Sequence, residues 1–376
     1  MADLVAAGRR AGATARVTQT AARGALDELL ARRVSAAEQF FPAEAGRIAQ
    51  RCRQLAEQFA RGGRLLAVAS TPQGWSDARH VAVEFVHPVI VGKRALPALA
   101  VAPDDLASLR GSDDVVIEFD RPCLTIGEHE FDPPSDDPFV RQELGETLYH
   151  VLWELVHVFF DHLGGSTAGA GASSFLYPFL GEQSADLDAV EEDVRRSVVM
   201  KAEEASELRA RTLEESADEL LAAAATVRDG GTVLAFGNGG SATDAMDAVA
   251  DFQAAPQGWP RRAALDLTAD SAILTALAND IGPAVLFQRQ IIAYGRRQDV
   301  ALAFSTSGNS VNIIEALGEA RRRGMGTVAM VGYDGGRVLS EGLADHVIVT
   351  RSEHIPRIQE AQASAYHVLR ELVEAD

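Results

Sequence analysis

The sequence predicts an α/β protein with two related domains, each a parallel sheet flanked by helices in three layers, the first domain being truncated. From residue 230 onward, apolar segments that suit buried strands alternate with amphipathic helical segments, which is typical of a parallel sheet covered on both faces. Two segments of the first half also recur in the second half. Finally, 376 residues exceed the roughly 250–300 residues over which one core usually grows.

The first domain is expected to cover residues 1–163. Its first 61 residues are rich in Ala, Leu, Glu and Arg, and predict helices. A linker is expected at 164–186, because 164–174 is rich in Gly, Ala and Ser and offers little to bury. Between these segments the pattern predicts strands at 64–70, 95–101 and 115–119, and helices at 76–86 and 139–162.

The second domain is expected to cover residues 187–376 and to begin with a long helical segment, 187–227. Ligands of parallel sheets bind at the carboxyl ends of the strands, so the loops that follow the strands are the first candidates for a site. The predicted strands are 232–236, 263–267, 300–304, 327–331 and 346–350, separated by helices.

The internal repeat pairs residues 77–85 with 244–252, and residues 142–152 with 359–369. The two paired segments are about 50 residues closer together in the first half than in the second. A hydroxyl-rich loop at 305–310 falls within the segment that the first half lacks. Only the second domain is therefore expected to bind a ligand through this loop.

The loop at 305–310 has the composition of a phosphate-binding turn. It follows an apolar strand segment and precedes an amphipathic helix, whose free N–H groups favour an anion. Serine and threonine hydroxyls can donate to phosphate oxygens, and Gly308 permits a close approach of the backbone. A serine-rich helix cap alone would look similar, but a second glycine-rich loop, 237–241, also follows a strand.

Two pairs of polar residues lie four apart on predicted helices: His80 with Glu84, and Asp247 with Asp251. Each pair lies on one helical face and can share a ligand, although most such pairs are solvated surface. Gln142 and His150 are eight apart, hence separated by roughly 12 Å of rise and ~80° of rotation on one helix. If these groups bind one ion, we expect them to meet across the two copies or across subunits.

Composition excludes several classes of partner. The net charge of −19 argues against nucleic acid and anionic membranes, both of which would repel the chain. The sequence has no apolar run near the ~20 residues of a membrane span and no secretory signal, which predicts a cytoplasmic protein. Its two cysteines form no metal-type spacing and no disulfide framework.

Four spaced motifs resemble the phosphoheptose isomerase branch of the sugar isomerase (SIS) family. They are the loop 237–241 followed by Asp244, the segment 279–282, the loop 305–310 with residues 312–314, and the segment 357–360 followed by His367. The resemblance covers residues 200–374 almost continuously, while the first half is similar at only two motifs. It implies an SIS fold and an aldose–ketose isomerase that converts sedoheptulose 7-phosphate into D-glycero-D-manno-heptose 7-phosphate through an enediol, commonly with zinc.

The resemblance also implies a set of site residues and an assembly. Family members form homotetramers with active sites at subunit interfaces, so two of these chains, with four domains, are expected to imitate that tetramer as a homodimer. The implied contacts to the sugar phosphate are Asn238, Ser241, Asp270, Ser305, Thr306, Ser307 and Ser310.

Zinc ligands and catalytic groups are implied in both copies. Glu84 or Asp251 is the expected base, and His150 or His367 the expected acid. Since the first copy keeps the His and Glu while the second keeps the phosphate loops, we expect a composite site. The candidate metal ligands are His80, Glu84, Gln142 and His150 in the first copy and Asp247, Asp251, Gln359 and His367 in the second.

Two other interpretations remain open. The pattern Gly237-x-Gly239-x-x-Ala242 after a strand fits a dinucleotide fingerprint, which is a weak pattern and does not involve the loop at 305–310. A non-catalytic sugar-phosphate sensor would need that loop but would have no use for the pair of His80 and Glu84. A purely structural first copy would keep much the same residues.

Overall fold

The computed structural model describes residues 2–88, 93–119, 123–163 and 187–375. The predicted linker, 164–186, lies outside the described residues, and the limits of the two domains stay a prediction. No described helix is long and apolar enough to cross a membrane.

The first half folds around a five-stranded sheet in the order β2-β1-β3-β4-β5. Strands β1, β2 and β3 are parallel, whereas β4 is antiparallel to both of its neighbours. The elements are α1 (Ala2–Ala60), β1 (Leu65–Val68), α2 (Pro72–Val86), β2 (Ala98–Val101), α3 (Pro103–Leu109), β3 (Val115–Glu118), β4 (Leu124–Ile126), β5 (His129–Phe131) and α4 (Pro138–Leu163).

The hairpin of β4 and β5 is the main difference from the prediction for this half. A two-residue turn joins the strands and begins with Gly127, whose φ of 64° suits a glycine. A chain that returns after two residues must pair antiparallel, since a parallel crossover needs a dozen or more residues. The missing segment of the first copy is thus replaced by a short hairpin.

The second half contains a sheet in the order β10-β9-β8-β6-β7, in which every neighbouring pair is parallel. Its elements are α5 (Leu187–Glu215), α6 (Ala217–Asp229), β6 (Val233–Phe236), α7 (Gly240–Ala254), β7 (Ala264–Asp266), α8 (Ser271–Asp280), a 3-10 turn (Pro283–Val285), α9 (Leu286–Tyr294), β8 (Val300–Ser305), α10 (Val311–Arg322), β9 (Gly326–Gly332), α11 (Gly336–Ser340), β10 (His346–Thr350) and α12 (Ile355–Glu374).

Counted within each half, the strands of both sheets follow the spatial order 2-1-3-4-5. This shared order agrees with the internal repeat, and the fold class with two helix-flanked sheets is confirmed. The predicted helix at 187–227 is instead two helices, which meet at Ser216.

Helices are exchanged between the two cores. Leu26 and Leu29 of α1 pack into the core of the second half, while Val190 and Val194 of α5 pack into the core of the first half. Helix α12 is buried over almost its whole length. Side chains of α4 and α12 therefore contact residues of both halves, which brings the two copies of the repeat together.

Candidate active site

The two candidate phosphate loops lie side by side because they follow the neighbouring strands β6 and β8. Asn238 of the first loop and Asn312, at the start of α10, exchange two amide hydrogen bonds of 3.0 and 2.9 Å. The backbone N–H of Gly308 donates to Ser305 Oγ at 3.1 Å. A Cβ on Gly308 would lie 2.3 Å from the carbonyl oxygen of Gly335, so this turn requires glycine.

The remaining predicted phosphate contacts surround the same strand ends. Ser241 is buried in the first turn of α7, and Thr306, Ser307 and Ser310 are half-buried. Asp270 is exposed and caps α8, where its Oδ1 accepts bonds from two backbone N–H groups. The serine and threonine hydroxyls can therefore face an anion, whereas Asp270 is partly committed to its helix cap.

Four buried side chains from three helices converge in what we call the histidine cluster: His80 and Glu84 of α2, His150 of α4 and Gln359 of α12. The Nε2 atoms of His80 and His150 lie 3.3 Å apart, and Gln359 Nε2 lies 3.1 Å from His80 Nε2. Glu84 Oε1 is 3.9 Å from the same nitrogen. Three of these residues come from the first half and one from the second.

The histidine cluster directly adjoins the first phosphate loop. A Cβ on Gly240, the first residue of α7, would lie 1.9 Å from Gln359 Nε2 and 3.0 Å from His80 Nε2. Gly240 therefore lets the start of α7 lie against the cluster. The first candidate phosphate loop of the second half and the His/Glu pair of the first half are thus neighbours.

Burial controls the charges in this cluster. It lowers the pKa of His80, which the neighbouring His150 lowers further, and it lowers the pKa of His150 to about 3, with Arg357 adding to the effect. Burial, aided by the charge of Glu154, raises the pKa of Glu84 to about 8. Both imidazoles are neutral at pH 7 and can act as metal ligands or proton carriers.

Outer partners orient the two imidazole rings. The hydroxyl of Tyr149 lies 3.1 Å from His80 Nδ1, and Glu360 Oε1 lies 3.0 Å from His150 Nδ1. With Nδ1 engaged in this way, Nε2 of each ring faces the centre of the cluster. Fixing a ring through its other nitrogen is how proteins orient histidine ligands.

The donors of the histidine cluster fit a metal ion. Glu84 Oε2 and Gln359 Oε1 are buried and have no hydrogen-bond partner among the described residues. Two nitrogen ligands of a tetrahedral zinc ion lie about 3.3 Å apart, since each bond measures ~2.0–2.1 Å, and the two Nε2 atoms already have this separation. The assignment of oxygen and nitrogen in the Gln359 amide can be reversed so that the oxygen faces the ion.

The equivalent residues of the other copy form a second group, the aspartate cluster: Asp247 and Asp251 of α7, His367 of α12 and Gln142 of α4. His367 Nε2 lies 3.4 Å from Oδ2 of each aspartate. Gln142 donates to Asp247 Oδ1 at 3.0 Å. The donor atoms of Asp247, Asp251 and His367 are close enough to hold an ion.

In the aspartate cluster, other donors bond both oxygens of Asp247 and one oxygen of Asp251, whereas Asp251 Oδ2 and His367 Nε2 have no hydrogen-bond partner among the described residues. Ser76 and Tyr366 donate to Asp247, at 2.9 and 2.7 Å, and Gln73 donates to Asp251 at 3.2 Å. Burial alone would lower the pKa of His367, but its interactions with Asp247 and Glu143 and the charge of Asp251 raise the pKa well above the ordinary value. These interactions favour the protonated form of His367, whose Nε2 lies 3.4 Å from an oxygen of each aspartate.

The glutamines are exchanged between the two copies. The sequence analysis expected residues of one ion site to meet across the copies, and in the structure Gln142 of the first half contacts Asp247 while Gln359 of the second half contacts His80. The reason is the eight-residue spacing, which separates glutamine from histidine on α4 and on α12. Sequence reasoning also missed Gly240, Asn312, Tyr149, Glu143 and Glu360, although both glutamates belong to the repeated segments.

Comparisons with known proteins agree on the family. The model of the SIS domain matches residues 197–332. The phosphoheptose isomerase of Pelodictyon phaeoclathratiforme is 45% identical over 155 residues, which are 40% of this chain and 72% of that protein. The phosphoheptose isomerase of Nitratidesulfovibrio vulgaris is 37% identical over 188 residues, or 49% of this chain and 89% of that protein.

Among solved structures, one similar protein aligns with about half of this chain and another with almost all of it. A phosphoheptose isomerase from Neisseria gonorrhoeae aligns at 30% identity and a TM-score of 0.45, over 48% of this chain and 98% of that one. The tagatose-6-phosphate ketose/aldose isomerase of Escherichia coli aligns over 93% of both chains, at 12% identity and a TM-score of 0.51, and so shares the fold. From the sequence matches, this chain belongs to the phosphoheptose isomerase branch of the SIS family.

Proposed function

We propose that the protein is an aldose–ketose isomerase of sugar phosphates with a composite active site. The observation that carries this proposal is the contact of Gly240 with His80 and Gln359, because it joins the phosphate loops to the histidine cluster. In this site the second half binds the phosphate, and the first half supplies His80, Glu84 and His150.

The proposed substrate is sedoheptulose 7-phosphate and the product D-glycero-D-manno-heptose 7-phosphate. The support is that the relatives matched over 40% and 49% of this chain are phosphoheptose isomerases. The SIS domain is matched at residues 197–332, a range that includes both candidate phosphate loops.

The proposed mechanism uses the residues of the histidine cluster as acid and base. The loop hydroxyls and backbone N–H groups hold the phosphate and so position the sugar carbons beside Glu84. Glu84, whose burial raises its pKa and so makes it a stronger base, moves a proton between the two carbons of the enediol. His150 is fixed through Nδ1 by Glu360, and its Nε2 exchanges a proton with the substrate oxygen when this nitrogen is not bound to the metal.

Zinc is the proposed metal, held by His80, Glu84, His150 and Gln359. Two neutral imidazoles with two oxygen donors form a set that zinc accepts in four-coordinate sites. When bound, the ion would polarise the carbonyl oxygen of the substrate. The aspartate cluster is not a zinc site in this proposal, because protein donors already bond both oxygens of Asp247 and one oxygen of Asp251.

We further propose that the protein is a cytoplasmic homodimer whose four domains imitate the family tetramer. Helix α8 supports this, because its apolar side chains Ile273, Leu274 and Leu277 are only half-buried, with Leu274 packed against the core of the second half. Both cysteines are free, as suits a reducing compartment. Light scattering coupled to gel filtration should give twice the chain mass, and the chain mass itself would contradict the dimer.

The test of the function is turnover of sedoheptulose 7-phosphate before chelation, after chelation and after addition of zinc. We expect turnover to be lost to the chelator and restored by zinc. Binding of the sugar phosphate without turnover under all three conditions would instead support a sensor.

A matched pair of variants then identifies the site. Glu84→Gln removes the proposed base, whereas Asp251→Asn makes the equivalent change in the aspartate cluster. We expect turnover to fall by at least about 10²-fold in the first variant, as for loss of a general base, and by far less in the second. Unchanged turnover in Glu84→Gln would reject the composite site and point to Asp251.

A further inference from the structure

A second acidic group lies behind the histidine cluster and has no role in the proposed reaction. Glu146 of α4 and Asp244 of α7 have exposed fractions of only 4% and 1%. Their donor atoms and one nitrogen of His80 all lie within 4.8 Å of one another. Glu146 Oε1 is 3.9 Å from His80 Nδ1, the nitrogen that also contacts the Tyr149 hydroxyl at 3.1 Å and faces away from His150 and Gln359.

These two carboxylates have unsatisfied atoms. Glu146 Oε1 and Asp244 Oδ2 are buried and have no hydrogen-bond partner among the residues that the structure describes. Their surroundings add to the negative charge, because Asp247 acts electrostatically on both and Asp77 on Glu146. A buried carboxylate without donors is costly, so the group needs a neutralising partner.

The separation of the oxygens indicates what kind of partner fits. The ligand atoms of Glu146, Asp244 and His80 lie within 4.8 Å of one another. A divalent cation lies ~2.0–2.6 Å from each ligand and can therefore join atoms that are up to about 5 Å apart. The spacing of the group is therefore compatible with a bound divalent ion.

The repeat shows that Glu146 is a specific feature of the first half. The offset that pairs Gln142 with Gln359 also pairs Glu146 with Ala363, a fully buried core residue. The fold therefore accepts alanine at this position, and a carboxylate is not needed there for packing.

We propose that Glu146 and Asp244 bind a second divalent cation, on the Nδ1 side of His80, separate from the ion proposed for the histidine cluster. The ion joins α4 of the first half to α7 of the second half. The inference does not require the histidine cluster to be catalytic.

The experiment compares zinc content, with zinc alone as the probe. Full-length wild-type protein is stripped with a chelator, dialysed against zinc and then against metal-free buffer, and its zinc is measured by mass spectrometry per chain. We expect Glu146→Ala and His150→Ala each to retain one zinc fewer per chain than the wild type. The variant that combines both substitutions should retain none. Replacement of the exposed Glu203 by alanine is the control and should retain the wild-type content.

Each outcome has a defined meaning. Equal zinc content in the wild type and in folded Glu146→Ala would overturn the second site. The second site would also be overturned if the wild type retained a single zinc and only His150→Ala lost it. If His150→Ala retains the wild-type content while Glu146→Ala loses zinc, the second site stands and the proposed zinc site of the isomerase fails. Should Glu146→Ala misfold by circular dichroism, Glu146→Gln keeps the shape without the charge and carries the same expectation.

Discussion

Replacing Gly240 by alanine tests the contact between the phosphate loop and the histidine cluster. The new Cβ would lie 1.9 Å from Gln359 Nε2 and 3.0 Å from His80 Nε2, whereas ordinary contacts measure 3.4–4 Å. The amide of Gln359 must therefore recede by about 1.5 Å, although the residue is buried and has little space to move. The φ angle of Gly240 is not in the left-handed region, so the backbone itself accepts alanine.

The expected effect is a loss of activity larger than the loss of stability. A displacement of about 1 Å in a catalytic group can cost on the order of 10²-fold in rate, or about 2.7 kcal/mol of transition-state stabilisation. Overpacking costs roughly 1–3 kcal/mol of folding free energy, of which the better helix propensity of alanine returns about 0.5–1 kcal/mol. The assays are kcat/KM with sedoheptulose 7-phosphate, the zinc dissociation constant and urea unfolding.

Gly318→Ala is the matched control, because Gly318 lies within α10 and a Cβ there would meet no atom within 4 Å. This variant should keep wild-type activity and gain about 0.5–1 kcal/mol of stability. A Gly240→Ala protein with kcat/KM and zinc affinity within twofold of wild type would refute the assignment of this contact to the active site.

Three further predictions test the clusters and the core. Gln359→Ala should weaken zinc binding about 10- to 100-fold, whereas Gln142→Ala should leave the zinc dissociation constant unchanged, and equal effects would contradict the exchange of glutamines. Burial disfavours the charged form of Glu143, but Arg33 and His367 outweigh the effect of burial and lower the pKa of this carboxyl to about 2. The carboxylate therefore stabilises the fold above about pH 4.5, and this contribution is lost as the pH falls through 2. Urea unfolding between pH 2 and 7 measures this loss. We expect the free energy of unfolding of Glu143→Gln to depend less on pH below about pH 4.5 than that of the wild type. Burial raises the pKa of the Cys52 thiol, so a thiol reagent at pH 8 should modify it only after unfolding, and rapid labelling of the folded protein would show that the helix around it opens.

Most of the second sheet could be predicted because each strand is a compact apolar run between turn residues. Strand β10 occurs at the predicted residues, His346–Thr350. Strands β4 and β5 were not predicted, because each has three residues and His129–Phe131 carries two polar side chains. Such segments become strands only by pairing, β4 with β3 and β5 with β4, and a contact of this kind leaves no periodicity in the sequence.

The candidate site was predictable at the level of local pairs. The spacing of four placed His80 with Glu84, and Asp247 with Asp251, on common helix faces, and the structure keeps both pairs together. The spacing of eight indicated that Gln142 and His150 would separate, but it could not indicate which histidine each glutamine would join. That choice depends on how α4 and α12 pack against each other, which no segment specifies alone.

The exchange between halves explains why the departures of the two copies are complementary. The second half contributes Gln359 and the start of α7 to the histidine cluster, so its phosphate loops face the His/Glu pair of the first half. The loop that faces the aspartate cluster belongs to the first half, where Gln73 donates to Asp251.

The sequence between β3 and β4, residues 119–123, contains no serine or threonine, and the short hairpin of β4 and β5 follows it. A sugar phosphate could not be held beside the aspartate cluster in the same way, so nothing there requires a zinc-binding histidine or a long catalytic glutamate. Within one chain, the loops and the His/Glu pair that act together must therefore come from opposite copies. If one copy had lost both the phosphate loops and the His/Glu pair, neither the histidine cluster nor the aspartate cluster would have both features beside it. With the losses divided between the copies, the proposed site at the histidine cluster has both.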